Sequence, residues 1–320
     1  MNSCSSVGRR ALLASAALLL AGPAAGQTPA PPRILSTTAM IGDLVREIGG
    51  DRVRAETLLG EGVDPHTYKP TRADVARLTA ADAVFYNGLL LEGQMTDLFV
   101  RLARAGKPVF AVTELLAADR LLAAEDGKDD PHVWMDVTLW ASAAERVRDA
   151  LSRLRPAAAE TFRRNHADLA RRLAALDSYI LQVIASVPEP ARVLVTAHDA
   201  FGYFARRYGI AVAGIQGLST EAEAGVRRIQ ELVELLVARR IPAVFVETSV
   251  NDRNVRALIE GAAARGHRVA IGGALFSDAM GAPGTYEGTY IGMMDHNATV
   301  IARGLGGTAP ARGLNGRLAG

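Results

Sequence analysis

The sequence predicts an α/β protein with two lobes, each with a mostly parallel four-stranded sheet flanked by helices, joined by one long backbone helix. Two observations lead to this prediction. Short apolar runs alternate with amphipathic stretches in both halves of the 320 residues, which is the pattern of βα units. Between the halves lies a helical pattern long enough to run along both lobes.

The first lobe is expected at residues 33–155 and the second at residues 190–305. In the first lobe, strands are predicted at 34–38, 53–59, 83–87 and 108–112, and helices at 71–81, 93–105 and 138–154. In the second lobe, strands are predicted at 193–197, 211–215, 243–247 and 268–271, and helices at 200–208, 222–239, 253–265 and 289–304. The glycine-rich end, residues 306–320, predicts a disordered tail.

The linking helix is predicted within residues 156–188, a range that begins and ends with a proline. Apolar residues recur there with helical spacing, at Phe162, Leu169, Leu173, Leu176, Ile180 and Ile184. A helix of roughly thirty residues spans about 45 Å, so it would act as a stiff spine that permits only a small hinge.

Residues 1–26 predict a cleavable secretory signal peptide. Arg9 and Arg10 precede an apolar run of 12 residues that is too short to span a bilayer, and small residues follow it. The paired arginines also resemble a twin-arginine signal. The single cysteine, Cys4, lies before the apolar run, whereas a lipoprotein cysteine would follow it. We therefore expect a periplasmic protein without a lipid anchor.

Charge and cysteine content exclude several classes of function. The formal charge of +2 falls to 0 without residues 1–26, which makes a nucleic-acid partner unlikely on electrostatic grounds. The mature chain has no cysteine, so it has neither disulfides nor thiolate ligands. No Gly-x-Gly-x-x-Gly dinucleotide motif is present. Any metal site must use nitrogen and oxygen ligands.

Histidines in repeated motifs are the main functional signal. Asp-Pro-His occurs at residues 64–66 and 130–132, and His198 follows a predicted strand directly. Open α/β sheets place ligands beyond the carboxyl ends of their strands, which is where His66 and His198 are predicted. The proline before His66 and His132 restricts the backbone at each histidine. Neutral imidazole is the commonest protein ligand of transition metals, so the three histidines predict a metal site.

A fourth ligand should be a carboxylate. Asp278, in a glycine-rich stretch after a predicted strand, is the best-placed candidate, although an aspartate among glycines is also typical of a turn. Glu247, at the end of another predicted strand, competes with it. An imidazole N–H also needs a hydrogen-bond acceptor, and Asp199 and Glu247 are the candidates for this supporting role.

Four segments together resemble the solute-binding proteins of zinc and manganese ABC transporters. They are residues 62–68, 130–136, 196–204 and 275–281, and the resemblance extends in order and spacing over nearly all of the mature chain. It implies that His66 and His132 from the first lobe and His198 and Asp278 from the second hold one divalent metal ion. It also implies a carrier that delivers the ion to a membrane permease and its ATPase.

Departures from the family pattern bear on the metal. Many zinc-dedicated members carry a histidine-rich loop before the second histidine, but residues 117–130 are acidic and have no histidine before that position. Many manganese-type members have glutamate at the third position, where this chain has His198. Three imidazoles and one carboxylate should bind zinc more tightly than manganese, so Zn²⁺ is favoured as the transported ligand with Mn²⁺ second.

Two other functions remain open at the level of the sequence. A zinc hydrolase would use three histidines and an open fourth position with Asp278 as general base, but no His-Glu-x-x-His motif occurs. A surface adhesin on the same scaffold is the second alternative. We expect a monomeric carrier and no enzymatic activity.

Overall fold

The computed structural model describes Met1 and residues 30–114, 116–123 and 127–319. The predicted signal peptide lies outside the described residues. Residues Pro31–Gly320 form one compact unit. Among the described residues, no helix combines the length and apolar character needed to cross a membrane.

The first half contains a four-stranded parallel sheet with the strand order β2-β1-β3-β4. Its strands are β1 (Arg33–Ser36), β2 (Arg54–Thr57), β3 (Ala83–Tyr86) and β4 (Val109–Ala111). Its helices are α1 (Ala39–Gly49), α2 (Arg72–Ala80), α3 (Thr96–Arg104) and α4 (Val137–Leu154). Thr71 and Asp74 form a capping box that begins α2, and the Asp136 side chain caps α4.

The second half contains two parallel strand pairs, with β5 lying beside β7. Its strands are β5 (Val193–Thr196), β6 (Ala211–Gly214), β7 (Ala243–Glu247) and β8 (Ala270–Leu275). Its helices are α6 (Gly202–Tyr208), α7 (Val226–Arg239), α8 (Arg253–Ala264) and α9 (Tyr290–Gly304). The described strands thus follow the predicted βα order, although the four-stranded arrangement of this half is split into two hydrogen-bonded pairs.

The long helix α5 (Ala159–Ala185) links the two lobes, as predicted. At 27 residues it is about 40 Å long. The six apolar residues that predicted it are all buried, and the helix packs against α1 and α4 from the first half and against α9 from the second. A single apolar core runs through both halves along this helix, with a smaller core on the other face of the first sheet.

The C-terminal segment differs from the disordered tail expected at residues 306–320. Leu318 is buried, and the backbone N–H of Leu314 donates to both carboxylate oxygens of Asp295, at 2.9 and 3.0 Å. Asp295 also accepts a hydrogen bond from the Tyr286 hydroxyl. Because a buried carboxylate on α9 satisfies the backbone of this segment, its glycines do not leave it loose.

The parallel topology brings the functional loops together. His66 lies between β2 and α2, His198 follows β5, and Asp278 follows β8. His132 lies just before α4. Asn87, the residue after β3, holds this segment in place, because its Nδ2 donates a 3.0 Å hydrogen bond to the Pro131 carbonyl. These loops all meet at the carboxyl ends of parallel strands, where open α/β sheets bind ligands.

Candidate metal centre

Four side chains from separate loops converge on one point. They are those of His66, His132, His198 and Asp278, and one nitrogen or oxygen atom from each lies within 4.8 Å of the others. All four residues are buried. The structure therefore brings together the four predicted ligands, which are 66 or more residues apart along the chain.

The separations between these atoms suit a single ion at their centre. His66 Nε2 lies 3.2 Å from His132 Nε2 and 3.7 Å from Asp278 Oδ2. Asp278 also approaches His132 Nε2 at 3.5 Å and His198 Nε2 at 3.2 Å. A tetrahedral zinc ion with bonds of about 2.0–2.1 Å holds its ligand atoms about 3.3–3.4 Å apart, and these four distances, of 3.2–3.7 Å, lie close to that value.

Polar atoms at the centre lack partners. Within the described part of the chain, His198 Nε2 and both carboxylate oxygens of Asp278 are buried without an aligned hydrogen bond. Buried polar groups are rarely left unpaired, because each costs about 1–3 kcal/mol. Because these residues belong to one cluster of ligand atoms within 4.8 Å of one another, their lack of partners fits a site that a bound cation completes.

Carboxylates orient two of the histidines. His132 Nδ1 lies 2.7 Å from Asp130 Oδ1, and His198 Nδ1 lies 2.5 Å from Glu247 Oε2. Each carboxylate also accepts the backbone N–H of the same histidine, at 2.9 Å in both cases. A proton held on Nδ1 leaves the Nε2 lone pair for a metal, and this carboxylate–histidine arrangement raises the basicity of the ligand.

His66 is supported differently. Its backbone N–H donates to Asp64 Oδ1 at 2.8 Å, but its Nδ1 has no hydrogen-bond partner among the described residues. Asp64 uses its other oxygen to accept hydrogen bonds from Thr67 and from Thr220 of the second half. The two Asp-Pro-His copies therefore share the backbone turn and differ in what the aspartate does.

The electrostatics of the four side chains are strongly coupled. Burial lowers the pKa of His66 to about 4, with the charges on His132 and His198 acting in the same direction. Burial also disfavours protonation of His132, but Asp130 and Asp278 outweigh it and raise the pKa of His132 to about 9. For His198, Glu247 and Asp278 likewise outweigh burial, and the pKa lies well above its ordinary value.

The same imidazoles act on the carboxyl group. Burial alone would raise the pKa of Asp278, but His198 and His132 outweigh burial, so the pKa lies well below its ordinary value. Asp278 therefore favours its ionised form, and it favours protonation of His132 and His198. A metal ion that binds here must displace protons from imidazole nitrogens.

A groove leads from the surface to one side of the centre. It has a volume of about 940 Å³, and His66 is the member of the cluster that lines it. Asp129, Asp199 and Glu221 also line it, together with the apolar side chains of Leu89 and Leu122. His66 therefore separates the groove from the other three side chains.

The supporting residues only partly match the sequence expectations. Glu247, left open as either ligand or partner, hydrogen-bonds to His198 and does not point at the centre. The other candidate partner, Asp199, lines the groove, and its side chain makes no hydrogen bond to a cluster histidine among the described residues. Asp130 performs the supporting role that sequence reasoning missed. Its position two residues before His132 was the available signal, since an aspartate there can cap the following turn.

The remaining histidines lie away from the centre. His166 is on the partly exposed face of α5, and His267 Nε2 contacts the Ile241 carbonyl at 2.8 Å. His296 Nε2 contacts the Ala274 carbonyl at 2.9 Å. None of these three histidines belongs to the cluster that the described residues form.

Comparison with known proteins identifies the family. The family model described as "ZnuA: Zinc-uptake complex component A periplasmic" matches residues 34–304. This chain belongs to that family. Its members supply the metal-binding component of ABC transporters, so the resemblance inferred from the sequence is confirmed.

Individual relatives differ in the metal that they are named for. The "Manganese-binding lipoprotein MntA" of Bacillus subtilis is 45% identical over 274 residues, covering 85% of this chain and 89% of the relative. The "Zinc-binding protein TroA" of Treponema pallidum is 44% identical over 274 residues, covering 86% of this chain and 89% of the relative. The TroA structure superposes with a TM-score of 0.84, covering 86% of this chain and 99% of that one.

A third relative adds another cation. The Fe(III)-bound YtgA structure from Chlamydia trachomatis is 30% identical with a TM-score of 0.78, covering 87% of this chain and 99% of that one. The same scaffold is thus named for manganese, zinc and iron in different relatives. Membership of the family identifies a metal-binding component of a transporter. It does not identify the cation, which has to be inferred from the site.

The comparisons count against one expectation. MntA and several streptococcal relatives are named lipoproteins, which argues for a lipid anchor, contrary to our expectation of none. Those names support a location outside the cytoplasm. The sequence reasoning relied on the position of Cys4, which lies outside the described residues.

Proposed function

We propose that this protein captures one Zn²⁺ ion outside the cytoplasmic membrane and delivers it to the permease and ATPase of an ABC importer, with Mn²⁺ as the second candidate. The observation that carries the choice of zinc is the buried set of three imidazole nitrogens and one carboxylate, with one atom from each within 4.8 Å of the others. Divalent metals bind such nitrogen-rich sites more tightly toward the copper and zinc end of the series, whereas manganese prefers oxygen ligands and octahedral geometry.

His66, His132, His198 and Asp278 are the proposed ligands. Asp130 and Glu247 hold the imidazoles of His132 and His198 in the tautomer that offers Nε2 to the ion. Burial keeps His66 neutral, so it needs no deprotonation before it binds. Delivery requires the ion to leave, and the groove beside His66 is the proposed route.

We infer a carrier in preference to a hydrolase. Four protein ligands complete a tetrahedral zinc site and leave no position for a substrate water. Asp278 would have to stand off the metal to act as a general base, yet its carboxylate lies 3.2 Å from His198 Nε2 and 3.5 Å from His132 Nε2. The zinc-loaded protein should not hydrolyse generic esters or phosphates faster than His132→Ala does.

Calorimetric titration with Zn²⁺ and Mn²⁺ tests the proposal. Wild type should bind one Zn²⁺ more tightly than Mn²⁺, and His132→Ala should remain folded but lose high-affinity binding. His166→Ala, which removes a histidine from the partly exposed face of α5, is the matched control and should bind as wild type does. Equal affinities for wild type and His132→Ala would remove His132 from the site.

Native material tests the cation, the location and the assembly. Protein purified from its own cell envelope should carry zinc by elemental analysis and should be a monomer by light scattering. Mass spectrometry of the mature N-terminus distinguishes a lipid-modified form from a freely soluble one. A product that carries manganese alone would refute the choice of zinc and leave the four-ligand site intact.

A further inference from the structure

Trp134 is a buried residue beside the centre that the proposed binding chemistry does not use. It lies two residues after His132, in the short 3-10 helix Val133–Met135, and is fully buried. Its indole ring packs against the His132 imidazole in a T-shaped arrangement, with ring centroids 5.3 Å apart and planes inclined at 66°. Trp134 is therefore placed to affect the position of a ligand from the first half.

Trp134 also connects to the ligand loop of the second half. Its Nε1–H donates a 2.8 Å hydrogen bond to the carbonyl oxygen of Ser277, the residue immediately before Asp278. The Trp134 carbonyl in turn accepts a 2.6 Å hydrogen bond from the Tyr290 hydroxyl at the start of α9. Trp134 thus lies two residues after His132 in the chain and is hydrogen-bonded to the segment that carries Asp278.

Neighbouring hydrogen bonds support this connection. The backbone N–H of Tyr290 donates to the buried carboxylate of Asp43 at 3.0 Å, which fastens α9 to α1. Asn297 clamps Phe276, one residue before Ser277, by accepting its N–H at 2.9 Å and donating to its carbonyl at 2.7 Å. On this side of the centre, three buried hydrogen bonds join the two halves: those from Trp134 to Ser277, from Tyr290 to Trp134 and from Tyr290 to Asp43.

Two hydrogen bonds that join the halves on the His66 side of the centre are more exposed. Gln94 Nε2 donates to Glu221 Oε1 at 2.7 Å, and Thr220 donates to Asp64. These groups are at least partly exposed, so water competes for their hydrogen bonds. The buried hydrogen bond of Trp134, in contrast, lies beside His132 and Asp278, which are 3.5 Å apart.

We propose that Trp134 is a positioning residue that fixes the separation of His132 and Asp278 and thereby favours a small tetrahedral cation over a larger one with more ligands. This inference rests on the proposed function. An indole N–H is a single donor with one direction, so it holds the Ser277 carbonyl, and with it Asp278, in one place. A cation that prefers six ligands, such as Mn²⁺, needs this edge to expand or the carboxylate to turn.

The experiment compares two tryptophan variants. Trp134→Phe removes the donor to Ser277 and some ring volume. Trp140→Phe is the matched control, because Trp140 is equally buried and its Nε1 has no hydrogen-bond partner among the described residues. Affinities for Zn²⁺ and Mn²⁺ are measured for wild type and both variants by chelator competition.

The expected result is a change in selectivity. Trp134→Phe should lower the affinity for Zn²⁺ by about tenfold or more while changing that for Mn²⁺ little, as removal of supporting hydrogen bonds does at metal sites. Trp140→Phe should keep the wild-type ratio of the two affinities. The visible spectrum of the Co²⁺-loaded protein should be intense and tetrahedral in wild type and Trp140→Phe, and weaker in Trp134→Phe.

The results that would overturn the role of Trp134 differ from those that would overturn the proposed function. A ratio of Zn²⁺ to Mn²⁺ affinity that is the same in Trp134→Phe and wild type, or an equal loss of both metals, overturns the role of Trp134. Wild type that binds neither metal overturns the proposed function itself. If Trp134→Phe does not fold, benzothienylalanine at position 134 in the Trp140→Phe background replaces the N–H by sulfur at nearly constant volume, and the same comparison applies.

Discussion

Replacing Glu247 by glutamine should weaken metal binding although Glu247 is not itself a proposed ligand. In the structure, Glu247 Oε2 lies 2.5 Å from His198 Nδ1, and Oε1 accepts the His198 backbone N–H at 2.9 Å. A glutamine has one oxygen and one NH2 group, so in either orientation its NH2 group faces one of these donors. The imidazole therefore loses its charged acceptor, its preferred tautomer or its fixed orientation.

The size of this effect follows from the loss of a supporting carboxylate. Such losses cost about 10–100-fold in metal affinity, which corresponds to about 1.4–2.7 kcal/mol. At neutral pH the measured loss should be smaller than this, because Glu247 also raises the pKa of His198. In the wild type the metal ion must therefore compete with a proton for the His198 imidazole. The loss in Glu247→Gln should therefore grow as the pH rises.

The assay is competition for Zn²⁺ against a chromophoric chelator, from pH 6 to pH 9. Glu231→Gln is the control, because Glu231 lies on the surface of α7 in an exposed ion pair with Arg227, which contributes little to stability. Glu247→Gln with wild-type affinity across this pH range would refute the role assigned to Glu247.

Three further outcomes are expected. The affinity of the wild type for Zn²⁺ should rise from pH 6 to pH 9, and binding should release protons, because the pKa of His132 is about 9. Calorimetry in buffers of different ionisation enthalpy measures the number of protons released, and binding without proton release would contradict this prediction. Asp43, with a pKa raised from 3.8 to about 6 by burial, loses its stabilising contribution as the pH rises through 6. Between pH 4 and pH 8, the unfolding free energy of Asp43→Asn relative to wild type should therefore rise by about 3 kcal/mol in chemical denaturation. Gly214→Ala places a Cβ 2.6 Å from the Asp199 backbone nitrogen and should cost about 1–3 kcal/mol and weaken Zn²⁺ binding, whereas Gly217→Ala, in open space, should change neither.

Much of the fold was predictable because its signals are local. Each predicted strand overlaps an observed one, since short apolar runs between turn residues are typical of strands in a parallel sheet. The spine helix was readable from its apolar face. Helix α1 was not specified from the sequence. Its buried residues include Gly42 and Asp43, and burial of an aspartate against the start of α9 depends on a contact 247 residues away.

The residues of the candidate site could be predicted from the sequence, but the orientation and hydrogen bonds of their side chains could be predicted only in part. Three histidines without cysteine pointed to a nitrogen and oxygen site, and parallel topology explains why loops after separate strands meet. The sequence alone did not decide between Asp278 and Glu247, because both follow strands. Their difference lies in orientation: Glu247 points at His198 Nδ1, while Asp278 points at the shared centre.

Long-range hydrogen bonds account for what the sequence did not reveal. The C-terminal segment is held by the buried Asp295, although its glycines predicted a loose end. Asp130 was noted for its proline neighbour, while its contact with the His132 imidazole was not foreseen. The bond from Trp134 to Ser277 joins residues 143 positions apart. No local pattern predicts such pairings.

The central claim is that one cation is held at the meeting point of four distant side chains. Anomalous diffraction at the zinc edge, on crystals of the zinc-loaded protein, tests it most directly. The account predicts a single strong peak about 2.0–2.2 Å from His66 Nε2, His132 Nε2, His198 Nε2 and one oxygen of Asp278. A peak elsewhere, or one within bonding distance of fewer than three of these atoms, would contradict it.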